Sequence, residues 1–116
     1  MKRGKLEIKY GGVTISGDVW LADFEIAELF GVRYSVVRAA IATILKSGAI
    51  REDNAKRYIT LESGNRADVY NLEIIIALAF HIDSVTSQTL RKWILSRVRG
   101  RSGQPLFINV GSGVLN

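Results

Sequence analysis

The sequence predicts a small α+β domain of winged helix-turn-helix character, and three observations predict it. Apolar and polar residues alternate on either side of a Gly-Gly pair in "LEIKYGGVTI", residues 6–15, the pattern of a tight β-hairpin. The stretch "IAELFGVRYSVVRAAI", residues 26–41, sets Ala27, Gly31 and Val37 at the intervals that let two short helices cross closely. Directly after that helix pair, "REDNAKRYITLESGNRADVYNL", residues 51–72, holds two extended runs around Ser63, Gly64 and Asn65, the position of a wing.

Composition bounds the rest. The chain has 116 residues, 47% of them hydrophobic, enough for one compact core. Residues 1–100 are therefore expected to form a single domain and residues 101–116 a glycine-rich tail. The absence of cysteine excludes a disulfide framework and a thiolate metal site, and suits a reducing cytosol, so the expected location is cytoplasmic. The N-terminus "MKRGKLEIKYGG" breaks into glycine before any apolar run and lacks the core of a secretory signal. The longest apolar run, "IIIALAF", is too short to span a bilayer, so no membrane partner is expected.

Each element has its own signal. The first hairpin is expected to continue through "VWL", residues 19–21. In "DFEIAELF", Phe24, Ala27, Leu29 and Phe30 recur at helical spacing, and Gly31 ends the helix. A second helix is expected from about Ser35 to Lys46, capped by Ser35 and stopped by Ser47-Gly48, with Val37, Ile41, Ile44 and Leu45 on one face. In the wing, Tyr58, Ile59 and Leu61 are set against Val69 and Tyr70. "LEIIIALAFHI", residues 72–82, is apolar nearly all round and reads as a buried helix from its length and its alanines. "SVTSQTLRKWILSRV", residues 84–98, gives a last helix with Leu90, Trp93, Ile94 and Val98 on a stripe and Ser84 as its cap. The tail contains one strand-like patch, "PLFINV".

The helix pair carries the functional expectation. Helix-turn-helix geometry needs a small residue at the crossing, a glycine in the turn and a branched apolar residue facing back, the roles of Ala27, Gly31 and Val37. It then turns Arg33, Tyr34, Ser35, Arg38, Ala39, Ala42 and Lys46 outward, where a recognition helix meets DNA. Arg38 has the planar fork that reads a guanine, while Tyr34 and Ser35 suit phosphates at a helix N-terminus. Lys56 and Arg57 at the base of the wing and Arg66 at its tip extend the surface. The net charge is +5 and no acidic residue follows Asp83, whereas Arg91, Lys92, Arg97, Arg99 and Arg101 do. Arg97, Arg99 and Arg101 are expected to add phosphate attraction that ignores sequence. Against this stand Asp23, Glu25 and Glu28, which make the first helix acidic, and a simple core-closing role for the crossing.

Three longer stretches carry a resemblance. "VWLADFEIAELF", "YNLEIIIALAFHIDS" and "LRKW" together resemble the N-terminal region of the bacterial RhuM-type virulence-associated proteins, without gaps from Val19 to about Trp93. Phage antirepressor modules of the BRO and KilA-N kind are similar at a greater distance. The resemblance implies a bacterial or phage-derived mobile-element setting and a DNA-binding role in transcription regulation. The chain departs from that pattern where Ala22 replaces a capping threonine, leaving Asp23 to cap one residue later. It departs again at Thr86 and Ser87, where an arginine and a glycine are usual, and at His81, which stands in place of an arginine.

Other chemistry finds little support in the residues. His81 has no second histidine and no cysteine to share a metal, and reads as a partly buried helical histidine. Glu52 and Asp53 read as turn charges, "GSG" near the C-terminus as a flexible link, and Trp20 and Trp93 as core residues. No cofactor, metal or catalytic residue is expected. The expected partner is double-stranded DNA, and a homodimer is compatible with the sequence. The rival expectation is a protein-docking module of antirepressor type, using the alanine-rich second helix or the "PLFINV" edge.

Overall fold

The computed structural model describes residues 1–9 and 12–102, with side chains through Arg99. The tail patch "PLFINV", the "GSG" link and the side chain of Arg101 lie outside the described residues. Strands β1 (Lys5–Lys9) and β2 (Gly12–Ser16) pair antiparallel with Leu6 opposite Ile15. Gly12 pairs with Lys9 and so belongs to β2.

The "VWL" segment does not extend this hairpin. Gly17 turns the chain with φ 71°, Val19 enters the core at 2% exposure, and β3 (Trp20–Ala22) joins a different sheet. That sheet has the order β3-β5-β4, where β4 is Lys56–Thr60 and β5 is Arg66–Asn71. Ala22 lies opposite Val69, and both are fully buried beside Trp20. The physical reason is burial: pairing with β5 covers Trp20 and Ala22, which an extended first hairpin would leave wet. The N-terminus is tied to this sheet by Arg3, which donates to the Trp20 carbonyl at 3.0 Å and to Glu25 Oε1 at 2.6 Å. Gly4 sits against the turn so closely that a Cβ there would lie 2.3 Å from the Ser16 carbonyl oxygen.

Helix α1 (Asp23–Phe30) has Ala22 as its N-terminal cap position, and Asp23, expected to cap, is its first helical residue. Alanine has no acceptor, and the helix start is held by Glu25, whose Oε1 accepts from the Ala22 N–H at 2.8 Å. Ile26, Ala27 and Phe30 face the core, whereas Phe24 points outward at 47% exposure because it lies on the opposite side of this short helix. Gly31 ends α1 with φ 67°, and the Val32 N–H closes back on the Ala27 carbonyl at 3.1 Å.

Helix α2 (Tyr34–Ser47) starts one residue earlier than the sequence predicts, with Arg33 as the flanking residue. Ser35 therefore lies inside the first turn and is not the cap. Val37 and Ile41 are buried, Ile44 and Leu45 pack at the margin, and Gly48 ends the helix with φ 80°. A four-residue helix α3 (Glu52–Ala55) leads into β4, and the β4–β5 hairpin forms the wing. Its register sets Tyr58 against Asp68 and Arg57 against Val69, one step from the expected facing.

Helix α4 (Leu72–Ala79) is capped by Asn71, whose Oδ1 accepts from the Ile74 N–H at 3.2 Å. Helix α5 (Val85–Ser102) starts after Ser84, which accepts from the Ser87 N–H at 3.1 Å while Ser87 Oγ accepts from the Ser84 N–H at 2.8 Å. Ile26, Phe30, Val37, Ile74, Ile75, Leu78 and Leu90 make one core joining α1, α2, α4 and α5. Val98 is 43% exposed and, unlike Leu90, Trp93 and Ile94, does not pack against that core. His81 sits after α4 and is exposed rather than partly buried. Among the described residues no helix is long and apolar enough to cross a membrane.

Candidate nucleic-acid interface

The exposed face of α2 follows from the residues that α2 buries. With Val37, Ala40 and Ile41 turned to the core, Ser35, Ala39, Ala42 and Lys46 form the opposite stripe at steps of three and four residues. Arg33, Tyr34 and Arg38 flank its N-terminal half, all exposed. The stripe is small-sided, so the helix backbone can come close to a flat or grooved partner. No acidic residue occurs in α2, and Lys46 in its last turn complements the helix dipole.

This helix stands as a ridge between two grooves. On one side lie Val36, Ala39 and Thr43 with His81 of the turn after α4. On the other, the wing provides Lys56, Asp68 and Tyr70 facing Asp23, Arg38 and Glu52. Arg38 is 64% exposed and its Nε lies 3.9 Å from Asp23 Oδ2, close enough to be steered and too far to be fixed. Its guanidinium also lies 5.5 Å from the Tyr34 ring centre.

The carboxylates of α1 are partly compensated. Asp23 faces Arg38 and Glu25 is taken by Arg3, while Glu28 is exposed on the outer side of α1. Lys56, by contrast, is not an open phosphate contact. Its Nζ lies 3.1 Å from Glu52 and 3.6 Å from Asp68, tying α3 to the wing. The hydrogen bond to Glu52 is the main reason its pKa is raised, opposed by partial burial and aided by Asp68. Burial likewise pushes the Tyr70 phenol up.

A group whose pKa rises on folding contributes stability below its unfolded value and loses it as pH climbs through the folded one. Deprotonation of Lys56 is thus expected to weaken the corner between α3 and the wing in alkaline solution, above about pH 10. Thermal unfolding followed against pH should fall more steeply there in the parent than in Lys56→Met. Superimposable profiles would mean that the ion pairs add nothing to stability.

The wing separates its cations by face. Arg66, Tyr58, Lys56 and Asp68 share the face toward α2, and Arg66 stacks on Tyr58 at 3.7 Å from the ring centre. Arg57 is on the other face, over the Trp20 ring at 4.8 Å. The structure thus brings Arg33, Tyr34, Ser35, Arg38, Ala39, Ala42 and Lys46 onto one helix, while Arg66 stands on the wing face that also carries Lys56 and Asp68. Arg97 lies on α5 over Trp93 at 4.9 Å, and Arg99 is exposed one turn from the end of that helix.

No protein-family model, curated protein or solved structure matches this chain. The resemblance to RhuM-type proteins rests on the quoted stretches alone.

The two acids beside Lys56, Glu52 and Asp68, were not foreseen from the sequence, because charge alone does not say which partners a lysine meets. The arginine–aromatic stacks were not foreseen either. Two were visible as spacing, since Tyr34–Arg38 and Trp93–Arg97 are each four residues apart on a helix. The stacks at Trp20 and Tyr58 depend on strand register and leave no local trace.

Proposed function

We propose that this chain binds double-stranded DNA by placing α2 in the major groove with the wing beside it. In this reading it is a mobile-element or virulence-associated transcriptional regulator of the bacterial cytoplasm, needing no cofactor and performing no catalysis. The observation that supports it most is the exposed α2 face, free of carboxylates, small along its centre and bearing Arg33, Arg38 and Lys46. Arg38 would donate to a guanine edge, and Ser35 with Tyr34 would contact phosphate at the start of the helix. Arg66, held over Tyr58, would reach the neighbouring minor groove. Symmetric half-sites would suit a homodimer.

Fluorescence anisotropy with duplex DNA over a salt series tests the reading. Log affinity should fall linearly with log salt, as expected when lysine and arginine displace counterions. Arg38→Ala is expected to cost about 1–3 kcal/mol at its base position and to flatten preference among sequences. Arg66→Ala should weaken binding to all duplexes and lower the salt slope by about 1. A flat, weak titration at low salt would reject DNA binding.

The carboxylates of Asp23, Glu52 and Asp68 in the groove beside the wing favour a second reading, a protein-docking module of antirepressor type. Under it, DNA binding is absent and Arg38→Ala weakens capture of a protein partner instead.

A further inference from the structure

On the flank formed by the first hairpin and α5, an open groove of about 740 Å³ runs beside α5. Its apolar surface comes from Ile8, Val85 and Trp93, and its walls carry Lys9 from the hairpin and Lys92 from α5. Val85 is 81% exposed, a large apolar side chain that the described residues leave largely uncovered. The α5 side extends from Val85 to Ser96, about 16 Å of helix or three turns. Among the described residues the hairpin contributes Ile8, Lys9 and Gly12, near its tip, and α5 forms the longer wall.

We propose that this groove is a docking site for an acidic amphipathic helix of a partner protein. Charge decides the chemistry of the occupant. Among the described residues, every charged side chain lining the groove is a lysine, and Arg97 adds a further cation on the Trp93 ring. A helix of about three turns fits the length, its apolar face covering Val85, Ile8 and Trp93 and its glutamates or aspartates meeting Lys9 and Lys92. The groove is built from β1, β2 and α5, whereas the proposed DNA surface is built from α2 and the wing, so the two can be occupied separately.

The test uses the full chain and a fluorescein-labelled synthetic helix with leucines on one face and glutamates on the other. A matched peptide with lysines in place of the glutamates is the control. The glutamate peptide is expected to bind and the lysine peptide not to. Lys92→Glu should weaken binding about tenfold or more, as like charges then face each other. Gly12→Phe supplies an independent block, because Gly12 lines the groove and a Cβ there meets nothing within 4 Å, so a ring can be added without a clash. Both variants should keep the parent circular dichroism spectrum and melting temperature.

Contact at Trp93 should also shift tryptophan emission on binding, and the shift should disappear in Trp93→Phe. Equal binding of the two peptides, no binding of either, or full affinity in Lys92→Glu would overturn the proposal. So would a self-associated parent that Lys92→Glu converts to a monomer, which would make a second copy the occupant.

Discussion

Replacing Phe30 with alanine is expected to remove about 3–5 kcal/mol of folding stability. Phe30 is 1% exposed at the end of α1 and belongs to the core cluster with Ile26, Val37 and Leu90. The ring closes the helix crossing at the point where Gly31 turns the chain toward α2, so a cavity there would undermine both helices together. Small domains are held by about 5–15 kcal/mol in total, so the loss would approach the whole margin. Urea unfolding followed by circular dichroism should show a lower midpoint with an unchanged slope for Phe30→Ala, and a milder shift for Phe30→Leu. A loss under about 1 kcal/mol would mean that α1 relaxes into the space and that the crossing is not anchored by this ring.

Arg91→Met is expected to cost about 2–3 kcal/mol, although Arg91 belongs by sequence to the basic run after Asp83. Its Nη1 donates to the Ala79 carbonyl at 2.6 Å, to the Ile82 carbonyl at 3.1 Å and to Ser87 Oγ at 3.3 Å. Nη2 reaches Asp83 at 3.4 Å. One guanidinium thus terminates α4, spans the turn and meets the first turn of α5. Ala79 is fully buried and Ile82 nearly so, and the methionine variant leaves their carbonyls without this donor while keeping a similar stem. Lysine, a point charge without the planar fork, should restore only part of the loss. Hydrogen exchange should localise the weakening to the end of α4. An Arg91→Met protein as stable as the parent would place that arginine with the ordinary surface cations.

The contrast between Arg91 and Lys92 shows why some of this molecule was legible in the sequence and some was not. The helix pair was legible because its constraints are local: a small residue at Ala27, a positive φ at Gly31 and an inward Val37 within eleven residues. The wing was legible for the same reason, since Ser63, Gly64 and Asn65 specify a turn between two extended runs. β3 was hidden because its pairing joins Trp20 to Asn71, a choice made by burial across the whole domain. The direction of a cation is equally non-local. Adjacent Arg91 and Lys92 have similar charge, yet one points into the α4–α5 turn and the other lines an open groove. Within the candidate DNA surface, the helix face could be read from periodicity, whereas the diversion of Lys56 to Glu52 and Asp68 required the fold.

The arginines resting on Tyr34, Trp20, Tyr58 and Trp93 carry a consequence for association itself. A free arginine samples many rotamers and gives up much of that freedom when it grips a partner, at about 0.5–1.5 kcal/mol for each rotamer-rich side chain that becomes immobile. A guanidinium already lying on a ring has surrendered part of that freedom during folding. The charge pattern that a polyanion would meet under the proposed function is then narrower in its distribution than the count of cations suggests. Losing the rings while keeping every charge would leave the long-range attraction intact and broaden that distribution, so the penalty would fall on how long a complex lasts more than on how fast it forms.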